Sequence, residues 1–94
     1  MSVARITTIN FKSKEDADKS IEDYSSNAPS EFPEAEQLLQ LRANDTTVMA
    51  ISLYLNNEAM ERASAARSKR MKANEKKFQV FDTKTGEITL NHKN

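Results

Sequence analysis

An α+β domain with its elements in the order β-α-β-β-α-β is what this sequence predicts, and three observations carry the expectation. Runs rich in β-branched or aromatic residues alternate at period two near the start, in the middle and late in the chain. Two highly charged stretches between them place alanines and larger apolar residues at helical spacing. The length of 94 residues suits one domain. A domain of this size removes only about 60–65% of its unfolded-chain surface from water, so association would help it.

Val3 to Phe11 reads as the first strand, with Val3, Arg5, Thr7, Ile9 and Phe11 on one face and Ala4, Ile6, Thr8 and Asn10 on the other. Neither face is purely polar, which predicts cover on both sides. Ser13 followed by Asp16 resembles a capping box with Asp for the usual Glu. Ala17, Ile21 and Tyr24 then recur at helical spacing, predicting about three turns that end near Ser25-Ser26-Asn27. Pro29 and Pro33 make the stretch from Ala28 to Pro33 a loop.

Glu34 to Ala43 admits two readings. Its Glu, Ala, Gln and Leu favour a helix by propensity. Alternation of Leu39 and Leu41 with Gln40 and Arg42, ahead of an Asn44-Asp45 turn signal, favours the first arm of a hairpin over residues 36–55. The second arm, Thr46 to Leu55, has Met49, Ile51, Leu53 and Leu55 on one face and Val48, Ala50, Ser52 and Tyr54 on the other. Asn57 caps a second helix that runs to about Lys76, acidic at its start and basic at its end as the helix dipole favours. Phe78 to Phe81 is a last core strand. Asp82 to Glu87 reads as a turn, and Ile88 to Leu90 as a short C-terminal edge strand.

This order is the split βαβ or ferredoxin-like arrangement. Two helices cover one face of its four-stranded sheet. The expectation is that Met49, Ile51, Leu53 and Leu55 face the second helix, while Val48, Ala50 and Tyr54 pack against the sheet of a second copy, giving a homodimer. Three features carry a resemblance: the strand Arg5–Phe11 running into Ser13-Lys14-Glu15-Asp16, the Phe32-Pro33 approach to a hairpin ending in Ile51-Ser52-Leu53-Tyr54, and the helix start at Asn56-Asn57-Glu58. On these the chain resembles the dimeric α+β barrel superfamily, which includes antibiotic-biosynthesis monooxygenase-like proteins, over most of residues 3–82. The resemblance implies two sheets packed face to face and a pocket between helices and sheet. Any activity it implies is a cofactor-independent, monooxygenase-like one. Some oxygen-using members employ an Asn on the first strand together with Trp and His or Tyr. Here Trp is absent and Asn10 stands near the strand's end, so the resemblance supports the fold better than monooxygenase or haem-degrading activity.

Composition excludes several function classes. Fourteen basic and fourteen acidic residues leave no excess to bind nucleic acid, and the central strand offers only Tyr54 for base stacking. No apolar run approaches the roughly 20 residues of a membrane span, and no signal-peptide pattern opens the chain. A soluble cytoplasmic protein is expected. Cysteine is absent, the single histidine, His92, lies in the tail, and Gly86 is the sole glycine. Neither a metal site nor a glycine-rich phosphate loop is expected, and no cofactor. The acidic pairs Glu34/Glu36 and Glu58/Glu61 sit where caps or exposed helix faces put them.

The second helix carries the candidate site. Ala59, Ala63, Ala66 and Ala73 form a narrow face of small side chains, with Arg67, Arg70 and Asn74 near it beside Met60 and Met71. Arginines at the margin of an apolar face suit a carboxylate or phosphate. Arg67, Arg70, Tyr24 and Tyr54 are therefore the candidate anchors for a small amphipathic ligand with an acidic or carbonyl head. The competing reading lays both arginine stems on the core rim with their heads in water, which fits a non-catalytic dimerisation or regulatory module.

Overall fold

The computed structural model describes residues 2–94. Its elements are β1 (Val3–Phe11), α1 (Lys14–Glu31), β2 (Ala35–Arg42), β3 (Thr47–Tyr54), α2 (Asn57–Arg62), α3 (Ser64–Asn74), a 3-10 turn over Glu75–Lys77, and β4 (Phe78–Glu87). The strands form one antiparallel sheet in the order β2-β3-β1-β4. This is the ferredoxin-like α+β arrangement.

The two readings of residues 34–43 resolve in favour of a strand. β2 pairs with β3 from Ala35↔Tyr54 to Arg42↔Val48, with an irregularity between Ala35 and Gln37. Helix propensity yields to a hydrogen-bond ladder that the turn closes. In that turn Asn44 Oδ1 accepts from the backbone N–H groups of Thr46 (3.0 Å) and Thr47 (2.9 Å).

Four expectations need correction. First, α1 runs through Ser25-Ser26-Asn27 to Glu31 and holds Pro29 inside it. Proline there costs a backbone hydrogen bond, yet Ala28 and Phe32 are both buried in the core below, and Phe32 still donates its N–H to the Ala28 carbonyl at 2.9 Å. The helix ends where Pro33 restricts the residue before it. Second, the helix expected from Asn57 to Lys76 is broken. Asn56 is the cap, accepting from the Ala59 N–H at 2.9 Å. At Ala63 the N–H is shared between the carbonyls of Ala59 (3.3 Å) and Met60 (3.1 Å), and the Ser64 hydroxyl donates to the same Met60 carbonyl at 3.4 Å. That competition for one acceptor separates α2 from α3. Third, the expected turn over 82–87 and edge strand over 88–90 are absent: β4 continues through these residues to Glu87, pairing along β1 from Phe11↔Phe78 to Val3↔Glu87. A full-length free edge on β1 outweighs local turn propensity.

The fourth correction concerns the faces of the sheet. In the register Val3↔Tyr54, Arg5↔Ser52, Thr7↔Ala50 and Ile9↔Val48, opposed residues share a face. This face lies beneath the helices. Tyr54 packs with Val3, Ala28, Phe32, Ala59 and Ala63, and Phe11 packs with Ala17 and Val48. Val48, Ala50 and Tyr54 therefore face the helices, and Met49, Ile51 and Leu53 face away, the reverse of the sequence expectation. Alternation along β3 separates two apolar sets without ranking them. Shape makes the choice, because the two largest fully buried side chains, Tyr54 and Phe11, lie on the face that meets the alanines of the helices.

Truncating this packing is expected to be costly. Phe11→Ala should lower the free energy of unfolding by about 3–5 kcal/mol in urea titration. Leu90→Ala, 81% exposed and outside the sheet, should change it by no more than about 0.5 kcal/mol.

Candidate ligand-binding cavity

The strand pairs spread the helix-side residues of β1 and β3 into a floor, and α1 and α3 roof it. Between them lies a cavity with about 60 Å³ open to the centre of a water molecule. A water needs roughly 10–15 Å³ by that measure, so the space holds a few waters or a small head group. Ile9, Phe11, Val48 and Phe78 form its apolar wall, and Arg5, Thr7, Ser52 and Arg67 supply polar groups.

Arg5 is the third residue of β1 and is only 8% exposed. Its Nη2 donates to the Tyr54 hydroxyl at 3.2 Å, and its guanidinium carbon lies 5.6 Å from the centroid of the same ring. Arg67 reaches down from α3. Its Nη2 donates to the hydroxyls of Thr7 on β1 (3.1 Å) and Thr83 on β4 (2.6 Å). Among the described residues no carboxylate forms an ion pair with either arginine. Burial, then the nearby positive charge of Arg5, pulls the pKa of Arg67 below the ordinary arginine value.

Arg70 sits in a different environment. Its Nε donates to Glu31 Oε1 at 3.1 Å, its Nη2 pairs with the other Glu31 oxygen, and its Nη1 meets Asp23 Oδ2 at 2.6 Å. It also lies over the Tyr24 ring at 5.2 Å. Burial acts to lower its pKa, and the two carboxylates outweigh that, leaving it raised. Arg70 is thus an electrostatic tie between α3 and α1. Tyr24, which lines the cavity, has its phenol pKa raised by burial against the opposing effect of a hydrogen bond with Ser52.

The four residues singled out from sequence therefore gather in one region with unequal parts. Arg67, Arg70 and Tyr24 line the cavity, and Tyr54 lies beneath it, holding Arg5. Met71 lines the cavity, Met60 packs on the core, and Met49 is on the far face of the sheet. Arg5 was not among the sequence candidates. Its signal was available: a lone arginine on a strand face otherwise made of Val3, Thr7, Ile9 and Phe11.

No family model matches the chain, and no curated protein matches it in sequence. Solved structures do match in shape. A dimeric ferredoxin-like protein from an uncultured marine organism superimposes with a TM-score of 0.80 at 8% identity, over 99% of this chain and 92% of its own. A monooxygenase from Streptomyces coelicolor, in complex with nanaomycin D, gives 0.78 at 12% identity over 99% and 92%. The cofactor-independent oxygenase SnoaB from Streptomyces nogalater gives 0.70 at 15% identity over 96% and 95%. The fold shared with these structures is ferredoxin-like. At these identities the likeness concerns the ferredoxin-like backbone, and no residue role transfers with it.

The tie that closes this ferredoxin-like cavity is testable through acid stability. The hydrogen bond from Arg70 holds the Asp23 pKa below its ordinary value of 3.8. A lowered folded-state pKa means stability present above the unfolded value and lost as pH falls through the folded one. Asp23 is half exposed, so solvent screening limits the effect. Asp23→Asn is expected to cost at most about 1 kcal/mol in urea at pH 7, and the difference from the parent should close as pH falls below 3.8 through the lowered folded-state value.

Proposed function

We propose that the protein is a soluble, cytoplasmic, single-domain homodimer that binds a small molecule in the cavity of each subunit. The observation that carries the binding reading is the cavity itself. A chain of 94 residues has little core, yet it leaves a void between its aromatic residues and lines one side with buried polar groups. Such a combination of apolar wall and convergent polar groups is the usual make-up of a ligand site. Two proteins of the same fold, one bound to nanaomycin D and one an oxygenase, lend support. Because a typical pocket holds about 300–1,000 Å³, the head of the ligand enters the void while its body lies outward along Met71 and the neighbouring surface.

The homodimer reading rests on the far face of the sheet. Ile6, Leu39 and Leu41 are 37%, 46% and 49% exposed there, beside Met49, Ile51 and Leu53. A contiguous apolar face of this kind marks an interaction surface. A fold neighbour is described as dimeric, and no described helix is long and apolar enough to cross a membrane. The modest volume of the cavity favours a second reading, a dimerisation module without a ligand.

Two measurements separate these readings. Sedimentation of the parent at micromolar concentration is expected to give a dimer, and Ile51→Lys a monomer that retains its circular dichroism. A parent that sediments as a monomer would sink the dimer. For the ligand, small apolar acids, amides and phenols are screened by thermal shift, where saturation at 100 times Kd should add about 2.7 kcal/mol. Ala50→Leu, which fills the cavity, should abolish any shift. If no compound raises the melting temperature and Ala50→Leu is simply more stable, the cavity is a packing defect and the second reading holds.

A further inference from the structure

We propose that the cavity selects an organic anion, a small apolar carboxylic acid, whose carboxylate sits between Arg5 on the sheet and Arg67 on α3. The inference rests on the reading of the cavity as a ligand site and adds the charge of its occupant. The pairing of the arginines supports it. The chain has five. Arg42 pairs with Asp18, Arg62 with Glu34, and Arg70 with Glu31 and Asp23. Of the three arginines that line the cavity, Arg5 and Arg67 have no carboxylate partner among the described residues. Arg5, the most deeply buried of the five at 8% exposure, has no counter-ion, and the half-buried Arg67 has none either.

Burying one unpaired cation is unfavourable, and placing a second beside it adds repulsion. Hydroxyl partners from Tyr54, Thr7 and Thr83 satisfy some N–H groups without neutralising either charge. Each guanidinium has five N–H donors, and no buried side-chain nitrogen lacks a partner among the described residues. The nitrogens left without a partner are therefore accessible, and both residues line the cavity. Two positive planar groups, one fixed from below by Tyr54 and one hung from the roof, give a carboxylate charge-assisted hydrogen bonds from both sides. The void of about 60 Å³ suits a planar three-atom head better than a phosphate with a sugar behind it, and Ile9, Phe11 and Phe78 give the carbon frame an apolar surface.

The test uses acid–amide pairs of the same shape: benzoate with benzamide, and straight-chain acids of two to eight carbons with their amides. Binding to the intact protein is read by calorimetry, and melting temperature is read without ligand. At least one acid is expected to bind ten times or more tightly than its amide, and Arg67→Met should reduce that preference to within about twofold. Arg67→Lys, which keeps a charge, should retain a preference. In ligand-free protein Arg67→Met should leave the melting temperature unchanged or raise it, because it removes repulsion; a clear fall would mark a structural arginine and overturn the proposal. Equal binding of acid and amide would overturn the anion while leaving the ligand cavity intact. Binding of neither would overturn both.

Discussion

The ring of Tyr54 fills the space between Val3 on the sheet and Ala28, Phe32, Ala59 and Ala63 from the helical layer, with no exposed surface. Its hydroxyl accepts a hydrogen bond from Arg5. One side chain thus joins the hydrophobic core to the polar floor of the cavity. The alanines permit it, since larger residues at 59 and 63 would force α2 off the sheet. The same packing decides which face of the sheet turns inward, and with that decision every helix-side residue of β1, from Val3 to Phe11, acquires its surroundings.

Above that floor the helical layer separates two arginines that differ by three positions in the sequence. Arg70 turns toward α1 and is neutralised by Glu31 and Asp23. Arg67 turns toward the sheet and meets only hydroxyl groups. The break at Ala63 lets α2 and α3 follow slightly different paths over the sheet, so that α2 lies on Tyr54 while α3 roofs the cavity. One short helix thereby carries an arginine tied to carboxylates and another tied only to hydroxyls.

The far face obeys a different logic. It lies on the side of the sheet away from the helices, and Ile6, Leu39, Leu41, Met49, Ile51 and Leu53 are its main apolar content. For a chain with 37% hydrophobic residues, committing so many to a face outside its own core limits what the subunit gains by folding alone. The proposed association through that face would take this apolar surface out of water.

Period-two alternation, Ser13, the Asn44 turn and the dipole-matched charges of the second helical region determined the order of the elements and the identity of most of them by local physics alone. Arg67 and Arg70 were legible as neighbours because helical spacing is geometric, whereas the strand pattern had turned Tyr54 toward a second copy instead of the helices. Other features depended on contacts between distant residues. Pro29 stays helical because Ala28 and Phe32 are buried, β4 extends because β1 offers a free edge, and β2 is a strand because β3 lies beside it. The orientation of β3 and the value of Arg5 belong with these. An alternating strand has two equivalent faces until bulky rings meet small helical residues, and an arginine is unpaired only once the positions of all the carboxylates are fixed.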